Sequence, residues 1–143
     1  MTFVNVEMQV ELTPGFLDGV LVTAFDGDLG GSNYWLYDVD VFYNNINAPG
    51  SSRLWEAVEV KYLDSGSQVA DEEDDELHEF TLDAESMAKG YALVLARKTE
   101  DGSPSRRSAH FLEALVTNDA GMIDADDADL IVQYAVFGKA VFG

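Results

Sequence analysis

The sequence predicts an α+β fold, and three observations predict it. Apolar and polar residues alternate with period two over residues 4–12, 35–43 and 54–63. Apolar residues at helical spacing follow the cap-forming residues Thr13, Asp83, Ser105 and Asp124. The strand-like segments all precede residue 83 and their connections are short, as antiparallel pairing requires. The expected architecture is an N-terminal strand and helix, an antiparallel sheet of about four strands and three C-terminal helices. Residues 1–143 carry no repeat and no linker composition, so they read as a single acidic domain.

The elements follow in order. Val4, Val6, Met8, Val10 and Leu12 alternate with Asn5, Glu7, Gln9 and Glu11, which predicts a first strand with one apolar face. Thr13-Pro14 ends it and opens a helix, with Thr13 as N-cap and Pro14 at the first helical position. Phe16, Leu17, Val20, Leu21 and Ala24 form its stripe, and it stops near Asp26-Gly27. Gly30-Gly31 reads as a loop, with one glycine expected at positive φ. A second strand is expected from Asn33, with Trp35, Tyr37, Val39, Val41 and Tyr43 on one face and Trp35 buried. Residues 54–63 predict a third strand and residues 77–82 a fourth. Asp83 caps a helix with Met87, Ala88, Tyr91, Val94 and Leu95 on its stripe. Ser105 begins another, with Phe111, Leu112, Leu115 and Val116 inward. Asp124 caps the last helix, which runs to about Phe137 and stops at Gly138.

The charge balance is lopsided: 8 Lys and Arg against 27 Asp and Glu in 143 residues, a net charge of −19. Such a surface repels nucleic-acid phosphates and anionic headgroups, which argues against direct nucleic-acid or membrane binding. Apolar runs such as residues 92–96 fall far short of the roughly 18 residues that span a bilayer. The first residues lack the basic and apolar regions of a signal peptide. Without Cys there is no disulfide and no thiol chemistry.

The densest feature is Asp71-Glu72-Glu73-Asp74-Asp75-Glu76. Read blandly it is a solvated hairpin loop; read functionally it is an anionic surface that docks on a basic protein. Its carboxylates lack the converging spacing of a metal cage, and Asp26-Gly27-Asp28 lacks the later ligands of a calcium loop, so no metal and no cofactor is expected. Asp124, Asp126, Asp127 and Asp129 cluster where a helix N-terminus favours negative charge. His78 and His110 lie in no nucleophile motif, and no catalytic residue is expected. Tyr34, Tyr37 and Trp55 are the aromatic residues singled out as interface anchors. Arg97, Lys98, Arg106 and Arg107 read as partners for the chain's own acids.

Gly30-Gly31-Ser32-Asn33-Tyr34-Trp35 resembles a Gly-Gly-x-Asn-Tyr-Trp motif. The tail from Ile123 to Gly143, with its Ile131-Val132-Gln133-x-Ala135-x-Phe137-Gly138 run, resembles the ending of small bacteriophage and prophage proteins, notably those of actinobacteria. The resemblance implies a phage origin and a host-cytoplasmic setting. The expected function is then a non-enzymatic acidic binding protein. It would inhibit a host defence nuclease by nucleic-acid mimicry, of the anti-restriction or anti-CRISPR type. Its partner would be a basic surface of a host protein, and an aromatic sheet face allows a homodimer. Two other functions fit the same residues: an accessory or structural phage protein whose acidity serves solubility or salt adaptation, and a small-ligand binder using acids around the aromatic sheet.

Overall fold

The computed structural model describes residues 1–47, 53–68, 75–98, 100–102 and 105–143. Among them are four α-helices and three strands, so the fold is α+β. The order is α1 (Pro14–Phe25), β1 (Asp38–Asn47), β2 (Arg53–Leu63), β3 (Leu77–Leu82), α2 (Ala84–Leu95), α3 (Arg106–Val116) and α4 (Ala125–Phe137). The sheet is antiparallel in the order β1-β2-β3.

Each helix begins where a side chain meets an orphan backbone N–H. Thr13 accepts from the Phe16 N–H, and Ser105 from that of Arg107. Asp83 and Asp124 each form a capping box, with Ser86 and Asp127 respectively. At the far end of α4, Gly138 is left-handed at φ 74°, the stop expected there.

Most of the buried apolar residues belong to one cluster, with Leu54 and Leu63 outside it. Phe16, Leu17, Val20, Leu21 and Ala24 of α1 meet Val58 and Val60 of β2, Leu82 of β3, Met87, Tyr91 and Val94 of α2, Phe111 and Ala114 of α3, and Ala128, Ile131 and Val132 of α4. The strand register stacks Val41, Val58 and Leu82 in one row and Val39, Val60 and Phe80 in the next. These rows face the helices, so the residues between them face away.

Four expectations are corrected. Residues 1–12 form no strand, and the sheet has three strands rather than about four. The alternation is present, but residues 1–12 pair with neither outer strand of the sheet: Met8, Val10 and Leu12 instead border a groove with Ala88, Tyr91, Ala92, Leu95, Leu112 and Leu115. The strand expected from Asn33 begins at Asp38. Ser32, Tyr34 and Trp35 all reach the carboxylate of Asp129. An extended chain would send residues 34 and 35 to opposite faces, so residues 32–35 turn instead.

Gly30 and Gly31 are not at positive φ; Gly30 has φ −60°. They are needed for close approach: a Cβ on Gly31 would lie 2.0 Å from the Ala125 carbonyl oxygen, and one on Gly30 would lie 2.8 Å from that of Ala24. On α3, Leu112 and Val116 face outward, because Ser108, Phe111 and Ala114 form the buried stripe.

Candidate functional site

Residues 32–35 and the α4 residue Gln133 meet at one buried carboxylate, that of Asp129. Asp129 Oδ1 accepts from Ser32 Oγ at 2.8 Å and Trp35 Nε1 at 2.8 Å. Its Oδ2 accepts from the Tyr34 hydroxyl at 2.8 Å and Gln133 Nε2 at 2.9 Å. Four donors fill the lone-pair sites of a carboxylate, so Asp129 is held as a structural acceptor. Asn33 Nδ2 donates to the carbonyls of Phe25 and Gly27, and the N–H groups of Gly31 and Ser32 donate to those of Thr23 and Ala24. Residues 31–33 thus satisfy the end of α1 that would otherwise carry orphan carbonyls.

Gln133 continues the network into the tail. Its Oε1 accepts from the backbone N–H groups of Val141 and Phe142, at 2.7 and 2.8 Å. Phe142 stacks on Trp35 at 5.2 Å, and Phe137 packs beside both. Burial raises the Tyr34 hydroxyl to about 12, with the bond to Asp129 and its negative charge adding to the shift.

A second buried carboxylate is Asp127, gripped by Arg107 Nη2 at 2.9 Å and Nε at 3.0 Å, with His110 Nε2 at 3.3 Å. Arg107 also lies over the Phe111 ring, and Arg97 over that of Tyr134. Of the four basic residues expected to pair with the chain's own acids, Arg107 does so, and Arg97 packs on an aromatic ring instead.

The sheet face turned away from the helices is acidic. Asp40 pairs with Glu59, and Asp38 with Lys61, which in turn pairs with Glu79. Four carboxylates therefore surround one ammonium, with Lys61 3.6 Å from Glu79. They sit about 4.8 Å apart across strands and about 6.7 Å along them. Asp40 directly opposite Glu59 is a like-charge pair that weakens the sheet. Phe42, opposite Ala57, adds an exposed ring to this face. These residues were not singled out in the sequence, although acid–apolar alternation in Asp38-Val39-Asp40-Val41 and Glu59-Val60 is their signature.

Of the acidic run, Asp71, Glu72, Glu73 and Asp74 lie outside the described residues. Asp75 accepts from the N–H and hydroxyl of Ser65, closing the base of the β2–β3 connection. Glu76 is exposed beside β3. His78 pairs with Asp64 and stacks on Tyr62 at 5.1 Å. Asp64, Glu76 and His78 offer ligand atoms within 4.8 Å of one another, the one such cluster among the described residues. The His78 nitrogen there is already engaged by Asp64.

The three aromatic candidates lie in three places. Tyr34 is half-exposed at the Asp129 network. Tyr37 donates its N–H to the Lys61 carbonyl at 2.8 Å, which places it beside Asp38. Trp55 is partly buried, edge-on to Tyr43, and its N–H donates to Asp18 of α1. Trp55 and Lys61 are about 20 Å apart along β2 at about 3.3 Å per residue. Tyr37 therefore precedes the first residue of the acidic face, with the parity of Val39 and Val41 rather than of Asp38 and Asp40, and Trp55 lies at the other end of the strand.

No helix among the described residues is long and apolar enough to cross a membrane. Comparison with protein-family models, with curated proteins and with solved structures returns no match to this chain.

Proposed function

We propose that this chain is a non-enzymatic acidic binding protein that covers a basic, nucleic-acid-binding surface of a host protein. In the phage setting its resemblance implies, the partner is a defence nuclease whose groove the chain blocks by standing in for phosphates. The observation that supports this is the open sheet face: Asp38, Asp40, Glu59 and Glu79 are fixed on a rigid lattice around Lys61. Opposing Asp40 to Glu59 costs the sheet stability, and a docking role accounts for that cost. Phe42 supplies apolar contact at the same face. Tyr37 lies just before its first residue, Asp38, and Asp75 and Glu76 lie at the β2–β3 connection rather than on that face. Exposed ion pairs contribute only about 0–1 kcal/mol each, so affinity needs both the lattice and such anchors.

The test is capture from the host with the wild-type chain and with a D38N/D40N/E59Q/E79Q variant. The wild type should retain a basic protein and displace DNA from it. The variant should lose that protein while its melting temperature holds or rises. Raising salt from about 0.05 to 0.5 M shortens the screening length from roughly 14 to 4 Å. The association rate should then fall at least about tenfold, with dissociation changing less. A salt-independent association rate, or DNA and this chain bound together to the target, rejects mimicry. The charge would then be a solubility or salt adaptation.

A further inference from the structure

Residues 1–12 hold a strand pattern that the fold leaves unused. Val4, Val6 and Met8 are 86%, 75% and 58% exposed. Among the described residues no backbone hydrogen bond is made by residues 1–12. The arm therefore presents an apolar edge and an unpaired row of N–H and C=O groups, the combination that recruits another strand.

We propose that the occupant is the same arm of a second copy, paired antiparallel about a two-fold axis through Met8. That register sets Val4 opposite Leu12, Val6 opposite Val10 and Met8 opposite itself, so one face is apolar along its length. The other face sets Glu7 opposite Gln9 and Glu11 opposite Asn5. Each carboxylate meets an amide, and none lies directly opposite another carboxylate.

The alternatives are worse matched. Parallel self-pairing in register sets Glu7 against Glu7 and Glu11 against Glu11. Pairing with the outer edge of β1 brings the same glutamates toward Asp38 and Asp40. The apolar face of the paired ribbon then has the groove of about 240 Å³ beside Ala88, Ala92, Leu112 and Leu115 to pack against. In this arrangement Met8, Val10 and Leu12 bridge the ribbon to α2 and α3. This inference does not depend on the docking function.

The chain has no Cys, so single-cysteine variants report the register without background. Met8→Cys should form a covalent dimer under mild oxidation at least about tenfold faster than Leu29→Cys, whose site is more exposed but lies off the arm. Val4→Cys should cross-link to Leu12→Cys in a mixture, and not to itself. The wild type should be a dimer by light scattering at tens of micromolar, and V4E/V6E a monomer with an unchanged unfolding midpoint per chain. Two copies of a −19 chain repel, so this association should tighten as salt rises, opposite in sign to docking on a basic partner. A wild type that stays monomeric at 100 µM and high salt overturns the proposal, as does Met8→Cys cross-linking no faster than Leu29→Cys.

Discussion

Asp129 shows how one side chain can fix a chain path. Its donors come from positions 32, 34, 35 and 133, and the Ser32 bond spans 97 residues. Asp129→Asn turns one oxygen into an NH₂ that faces donors. Each group left unpaired by that clash should cost about 1–3 kcal/mol. Denaturant unfolding with an unchanged m-value would measure it, and a neutral effect would mean the carboxylate does not organise residues 32–35. Trp35→Ala removes a fully buried ring that packs on Tyr62, Phe137 and Phe142, for an expected loss of about 3–5 kcal/mol.

Tyr34 gives the same network a pH signature. Its hydroxyl is raised from an ordinary value of 10.0 to about 12 in the folded chain. The folded value lies above the unfolded one, so this stabilisation is complete below pH 10 and is lost as pH climbs through about 12. Unfolding free energy measured from pH 9 to 12 should decline, and less steeply for Tyr34→Phe. Tyr62 and Tyr91, also raised by burial, keep part of the slope in that variant.

At the scale of elements, the helix ends were legible because each is a local hydrogen-bonding problem. Thr13, Asp83, Ser105, Asp124 and Gly138 solve it within a few residues of themselves. The start of β1 was not legible, because Asp129 bends residues 32–35 from the other end of the chain. Nor was the fate of residues 4–12, since alternation says which face is apolar and nothing about whether an edge is available. The need for Gly31 is not local: the constraint is the backbone of α4 passing beside it at Ala125, which no local pattern encodes. The acidic sheet face was half legible, because alternation gives the faces while only the register sets Asp40 against Glu59. Glu59→Lys replaces that repulsive pair with an attractive one. It should stabilise the sheet by about 0.2–1 kcal/mol while weakening capture of a basic partner. An equal loss of stability and of binding would instead mark Glu59 as part of the fold.

For the whole molecule the charge is largely unbalanced from within. Among the described residues, Lys and Arg make two ion pairs with carboxylates, Lys61 with Glu79 and Arg107 with Asp127. Exposed acids sit on the arm, the sheet, the loops and every one of the last three helices or their caps. Self-repulsion of this kind weakens a compact state, and added salt screens it. Thermal unfolding in sodium chloride from about 0.01 to 0.5 M should therefore shift upward, because the screening length falls from roughly 30 to 4 Å. A relief of about 1–2 kcal/mol corresponds to a rise of roughly 3–10 °C for a chain of this size. The D38N/D40N/E59Q/E79Q variant should start higher at low salt and climb less. Potassium chloride at the same ionic strength should give the same curve, since screening depends on charge and not on the ion. A melting temperature that falls with salt would show that attractive pairs outweigh the repulsion. The open acidic face would then be balanced by contacts within the chain.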